Sequence, residues 1–213
     1  MRLIAFGCSN TFGQALPDIW KIPNLNRDTY SSSKYAWPQI LADKLNLECI
    51  NYAKTGASNK EIWNIILNVN LHKTDIIVIL WTYPHGRHAI ITKNGVEFLQ
   101  VLSPNPRFKK KNDAYFKYIY DGYDAILGTY LRINHIGNFL KDKVKLVKQY
   151  HLQNWALPYK AVEPSWNEIN LLETAKIGTK YDIDKALDNS HSGPESHKVF
   201  ATEIYNEIKD EIT

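Results

Sequence analysis

The chain has 213 residues, of which 44% are hydrophobic and 23% charged, a balance that supports one sizeable core and excludes global disorder. Its 26 basic and 22 acidic side chains leave a formal charge of +4, short of the dense positive face of a dedicated nucleic-acid binder. Aromatic residues, at 12% with 13 Tyr, 7 Phe and 6 Trp, are the unusual component, so where they cluster bears on what the chain contacts.

Leu3 to Phe6 is a short apolar run ending at Gly7, the pattern of a buried strand entering a tight turn. It is too short for a signal-peptide core, so Cys8 is not read as a lipoprotein cysteine. A polar loop over 23–34 leads to a helical face of Ala36, Trp37, Ile40, Leu41 and Leu45. Glu48 to Tyr52 reads as a second strand, running into Lys54-Thr55-Gly56-Ala57-Ser58. Ile62, Ile65, Ile66 and Val69 mark a second helix with Ser58 or Asn59 as its N-cap. Ile76 to Trp81 is the strongest strand, and its continuous apolarity predicts cover on both faces. The run is far below the ~20 residues of a membrane span.

This alternation predicts an α/β fold: a three-layer α/β/α sandwich around a flavodoxin-like parallel sheet with right-handed crossovers. Ligands bind such sheets beyond the carboxyl ends of the strands, so the loops at 7–14, 53–59 and 82–88 should converge. Cys8 and Cys49 would then sit several residues apart along neighbouring strands, too far for a disulfide. A reducing compartment fits that spacing.

Residues 83–123 interrupt the alternation. Ala89–Thr92 and Val96–Leu102 flank Lys93-Asn94-Gly95, a β-hairpin signal. Lys109 to Lys111, two residues after Arg107, read as a solvated tip, followed by Tyr115, Tyr118, Tyr120 and Tyr123. A helix is predicted over 124–141, with Ile126, Tyr130, Ile133 and Phe139 inward, and a strand over Lys143 to Val147. Residues 151–180 carry no clear pattern. Pro194 to Ile212 is a helix with Phe200, Ile204, Ile208 and Ile212 on one stripe, opened by a capping-box pattern in Ser192-Gly193-Pro194-Glu195. A single domain over 1–213 is expected, with 83–123 inserted as a hairpin or cap.

Two segments carry candidate chemistry. In Gly7-Cys8-Ser9-Asn10-Thr11-Phe12-Gly13, a serine on a strand-to-helix turn is surrounded by backbone N–H groups, which suits a nucleophile whose attack creates an oxyanion. In Asp188-Asn189-Ser190-His191, the carboxylate can accept from one imidazole nitrogen and leave the other free as a base. His197 is a rival base, but its place inside the last helix points to a surface or capping role.

The G-x-S-N-T-x-G around Ser9, Gly56 after the second strand and the Asp188/His191 pair near the C-terminus resemble the SGNH (GDSL-type) hydrolase superfamily. The order and spacing match from residue 2 to about 205. The G-C-S-x-T opening, Ala36-Trp37-Pro38 and the stretch 56–62 are most similar to small SGNH-like proteins common in phage genomes. The resemblance implies the SGNH hydrolase fold and a serine esterase with Ser9 as nucleophile, His191 as general base and acid, and Asp188 as the orienting carboxylate. It further implies backbone oxyanion donors at Ser9 and Gly56, no organic cofactor and no metal.

Two departures from that pattern stand out. Cys8 replaces the superfamily's first-block Asp, which is not the triad acid. The third block, normally G-x-N-D after strand three, reads Trp81-Thr82-Tyr83-Pro84-His85-Gly86-Arg87-His88. The Asn that would donate to the oxyanion is gone, and Tyr83 or Arg87 is the candidate replacement. Losing one such donor costs about 2.7–4 kcal/mol of transition-state stabilisation. Asn10, Asn59, Trp81, His85 and Arg87 are the expected substrate contacts.

The expected substrate is a small-molecule or glycan ester, with O-acetyl groups on a glycan as one form. The alternative is a catalytically weak SGNH scaffold that binds or builds, in a virion or another assembly. The N-terminus leads to a cytoplasmic expectation, host cytoplasm or virion for a phage-encoded chain. A nucleic-acid partner is the least expected, with Arg107, Lys109 to Lys111 and the interleaved aromatics in its favour. Scattered histidines without H-E-x-x-H argue against a metal hydrolase. No oligomeric state follows from the sequence.

Overall fold

Alternating burial in two central strands sets the architecture. Leu3, Ala5, Ile76, Val78 and Leu80 face one helical layer, whereas Ile4, Phe6, Ile77, Ile79 and Trp81 face the other. Both sets belong to β1 (Arg2–Phe6) and β3 (Ile76–Trp81). A strand buried on both faces has no polar side, and the unbroken apolar sequence of β3 follows from that. The computed structural model describes residues 1–19, 31–84, 87–92, 95–100, 109–152, 175–176 and 183–212.

The remaining strands of this sheet are β2 (Glu48–Asn51), β6 (Leu146–His151) and the two-residue β7 (Ala175–Lys176). Their order is β2-β1-β3-β6-β7, and every pairing is parallel. The order reverses between β1 and β3, so the chain leaves their carboxyl ends in opposite directions and opens a crevice there. On one face lie α2 (Trp37–Leu45) and α6 (Pro194–Ile212), which pack on each other as well as on the sheet. On the other lie α3 (Asn59–Leu67) and α5 (Gly122–Leu140). No helix among the described residues is long and apolar enough to cross a membrane.

A separate two-stranded antiparallel sheet, β4 (Arg87–Thr92) and β5 (Gly95–Gln100), follows β3, with Thr92 opposite Gly95. The turn residues at 93–94 and the expected end of the hairpin at 101–102 lie outside the described residues. Lys109 to Lys111 are solvent-exposed as expected, but as the first turn of α4 (Lys109–Tyr118) rather than a tip, and Lys109 pairs with Asp113 one turn on, at 2.9 Å.

β6 begins at Leu146 rather than Lys143. The residues before it form the turn after α5, and pairing with β3 starts at Ile76 opposite Leu146. Lys148 and Gln149 obscure this strand in the sequence. Gln149 is buried and accepts from Trp81 Nε1 at 2.9 Å, while Lys148 reaches Glu207 and Glu211 on α6. The capping-box reading of α6 is corrected too: Asp184 accepts from the N–H groups of Glu195 (3.0 Å) and Ser196 (2.8 Å). A Cβ at Gly193 would lie 2.4 Å from Asp184 Oδ2, so only glycine admits this carboxylate.

Candidate active site

The turn after β1 is short because its side chains leave no alternative. A Cβ at Gly7 would lie 2.0 Å from Thr11 Oγ1 and 3.0 Å from the Leu80 carbonyl, so the backbone there closes directly onto the next turn and onto β3. Cys8 N-caps the one-turn helix α1 (Ser9–Phe12), and its carbonyl accepts from Thr11 and Phe12. Gly13, at φ 78°, ends that helix in the left-handed conformation glycine tolerates. Ser9 is therefore the first helical residue, 2% exposed, with Oγ 3.9 Å from Cys8 Sγ.

The Asp188/His191 loop is tied down from three sides. Lys185 and Ser192 form an antiparallel bridge, and Ala186 N donates to the His191 carbonyl at 2.9 Å. Leu187 N donates to the Ala15 carbonyl at 3.2 Å, while Ala186 packs with Ala15, Leu16 and Ala36. These contacts dock the loop against the segment that follows α1. Asn189 takes φ 56° at the tip, a conformation Asn accepts better than most residues.

Asp188 Oδ2 lies 2.6 Å from His191 Nδ1, and Oδ1 accepts from the N–H groups of Ser190 and His191, each at 3.0 Å. Burial pushes the Asp188 carboxyl upward, but the two backbone N–H groups and the imidazole outweigh it and hold it below the usual range. An ionised Asp188 fixes the Nδ1–H tautomer, which leaves Nε2 as an acceptor.

Ser9, Asn10, Tyr83, Arg87 and His191 line one cavity of about 240 Å³ at the carboxyl ends of β1 and β3. Sequence reasoning missed Trp37, Leu152 and Phe200, which line it as well, and His197, expected at the surface or in a cap, is instead buried in its wall. His197 is 4% exposed, and its Nδ1 accepts from the Trp37 N–H at 3.1 Å. Burial lowers its pKa to about 4, with Asp184 opposing and His191 adding to the fall. The apolar stripe of α6 runs back from Phe200 to His197, three residues earlier, and this periodicity was the available signal.

Two expected substrate contacts are placed elsewhere. Trp81 is fully buried, because alternation along β3 puts its indole in the α3/α5 layer, where it donates to Gln149. Asn59 spends its amide on the backbone: Oδ1 accepts from Thr82 N at 2.8 Å, and Nδ2 donates to the Thr82 carbonyl at 2.9 Å. It thus clamps the end of β3 and positions Tyr83. Gly56, at φ 76°, sits in the loop after β2 and is not among the cavity-lining residues. Tyr83 is 43% exposed, and Arg87 reaches the Thr82 hydroxyl at 3.5 Å. His85 lies outside the described residues. Among the described residues no three His, Cys, Asp or Glu side chains gather as a metal site requires, and both cysteines are free.

No family profile and no curated protein matches the sequence. Solved structures do. A carbohydrate esterase whose active site displays divergent catalytic and non-catalytic binding functions superposes with a TM-score of 0.52 at 14% identity, over 98% of this chain and 65% of its own. A family two carbohydrate esterase from Clostridium thermocellum gives 0.49 at 13%, over 99% and 64%. A G-D-S-L family protein from Desulfitobacterium hafniense gives 0.46 at 12%, over 96% and 98%. The chain spans just under two thirds of the two carbohydrate esterases. With its 2-1-3-6-7 parallel sheet, two helical layers and crevice beyond β1 and β3, the chain has the SGNH hydrolase fold.

Proposed function

We propose that the protein is a serine esterase. Ser9 Oγ attacks the acyl carbonyl of the ester while His191 Nε2 takes its proton, and Asp188 stabilises the resulting imidazolium. The same proton passes to the leaving alcohol as the C–O bond breaks. Water, deprotonated by His191, then attacks the acyl-serine; the acyl–Oγ bond breaks, His191 returns the proton to Ser9 Oγ, and the acid leaves. The Ser9 N–H group stabilises the tetrahedral oxyanion, with Arg87 or Tyr83 supplying a further donor.

The observation that carries this reading is the Asp188–His191 pair at 2.6 Å on the same small cavity as Ser9. Ser9 Oγ points to Cys8 Sγ and makes no hydrogen bond to His191 in this structure, so the reaction requires Oγ to turn to Nε2. The volume suits a short acyl group, such as an O-acetyl on a glycan. Hydrolysis of p-nitrophenyl acetate tests the reading: Ser9→Ala abolishes turnover, whereas turnover at the wild-type rate in that variant removes Ser9 from the chemistry.

The exposed Tyr83 in place of a side-chain oxyanion donor favours a second reading, a binding module with weak catalysis. Robust turnover that His191→Ala abolishes would remove it.

A further inference from the structure

A second cavity, of about 120 Å³, lies beside the first and shares Arg87 with it. Three more nitrogen-bearing side chains converge on it from different elements: Lys60 from α3, His88 from β4 and Arg132 from α5. Each of the four is partly buried. Ion pairs among the described residues use Arg2, Lys54, Lys109, Lys148, Lys198 and His191. Among the described residues, Lys60, Arg87 and Arg132 have no carboxylate at ion-pair distance.

Two aspartates line the same cavity without pairing with these cations. Asp121 is committed to the N-cap of α5, accepting from Tyr123 N at 2.8 Å and Asp124 N at 3.1 Å. Asp124 is exposed and only moderates the local charge. Burial, and then repulsion among the cations, lowers the proton affinity of Lys60 and His88. Partly desolvated cations that repel one another and are only distantly offset by Asp124 are costly. An anion in the cavity would remove that cost.

The backbone is shaped to keep the arrangement. A Cβ at Gly128 would lie 2.9 Å from Arg132 Nη1, so glycine leaves the room in which the guanidinium lies along α5. His88 is held by stacking on Tyr115, with ring centroids 4.7 Å apart.

We propose that Lys60, Arg87 and Arg132 form an anion subsite that takes a carboxylate or phosphate group on the ester substrate. The substrate assignment rests on the esterase reading of Ser9; the anion site does not. Arg132 presents a planar fork for a two-oxygen anion and Lys60 a point charge, while Arg87 joins the subsite to the acyl cavity.

The test has two arms on the full chain. In the first, inorganic phosphate and acetate are titrated into the protein and binding is followed by NMR shifts of the His88 ring. Saturable binding of one or both is expected, and its relative strength separates a phosphate from a carboxylate ligand. Arg132→Gln and Lys60→Gln each weaken it by about tenfold, the worth of a charge-assisted hydrogen bond, Asp124→Asn tightens it and Ser9→Ala leaves it unchanged. No saturable binding, or equal binding in both Gln variants with native circular dichroism, overturns the site.

In the second arm, 4-acetoxyphenyl phosphate and 4-acetoxybenzoate are compared with p-nitrophenyl acetate. Arg132→Gln raises KM for the anionic esters alone. An equal effect on the neutral ester overturns the substrate assignment while leaving the esterase standing. Arg132-dependent phosphate binding without hydrolysis of any ester overturns the esterase reading and retains the anion site.

Discussion

Acidification below pH 6.5 costs the protein stability through one buried contact that only a neutral histidine makes. Trp37 is the first residue of α2, and its N-cap, Ala36, has no side-chain acceptor. His197 supplies the acceptor from α6, 160 residues away, through Nδ1 at 3.1 Å. Only neutral imidazole can do this. The native pKa of His197 is about 4 against an ordinary 6.5, so between those values the unfolded chain binds a proton that the native state refuses. Stability is therefore complete above pH 6.5 and falls as pH drops towards 4, by about 1.4 kcal/mol per unit. From pH 7.5 to 4.5 the loss is roughly 2–3 kcal/mol, a large share of the ~5–15 kcal/mol that holds a typical domain together. His197→Asn keeps an acceptor near Trp37 N–H but does not titrate. Urea unfolding of both proteins at pH 7.5 and 4.5 reads the difference: the wild type should lose about 2–3 kcal/mol more than the variant. Equal losses would refute the argument that a buried neutral His197 caps α2.

Asp184→Ala strips the N-terminus of α6 of its carboxylate, which accepts from Glu195 N, Ser196 N and Ser196 Oγ, and should cost about 1–2 kcal/mol in urea unfolding at pH 7. Burial raises the Asp184 carboxyl but the Ser196 hydroxyl and the backbone amides outweigh it. The difference between the two proteins is thus present above the ordinary carboxylate range and disappears as pH falls through the lowered native value. Asp188→Asn preserves the shape of the loop but loses the charge that fixes the His191 tautomer, and kcat on p-nitrophenyl acetate should fall by on the order of 10⁴. Gly7→Ala places a Cβ 2.0 Å from Thr11 Oγ1, so thermal melts should show a loss of about 1–3 kcal/mol.

Where side-chain pattern and environment coincide, the sequence was readable. β3 runs from Ile76 to Trp81 and α6 from Pro194 to Ile212, both as their apolar patterns predict. Ser58 caps α3 as expected, accepting from Glu61 N. The Ser9 and Asp188/His191 segments stand out in the sequence as short motifs at element boundaries, and Ser9 and His191 line one cavity. What failed depended on partners remote in sequence. Lys148 and Gln149 look unlike a strand interior until Glu207, Glu211 and Trp81 are placed around them. The cap of α6 comes from Asp184, outside the motif that predicted Ser192. α4 begins with three lysines and carries little apolar surface, so no periodicity marks it. Trp81 ends β3 next to the crevice, but strand alternation turns its indole away from it.

The central claim is that Ser9 is an activated nucleophile, and covalent labelling reads it without a natural substrate. The intact protein is incubated with a fluorescent fluorophosphonate at pH 7.5, beside Ser9→Ala and His191→Ala, and the modified peptide is located by mass spectrometry. The account predicts stoichiometric labelling at Ser9, none in Ser9→Ala and a rate lowered by on the order of 10³ or more in His191→Ala. A wild type that stays unlabelled, or labels equally after Ser9→Ala, would contradict it.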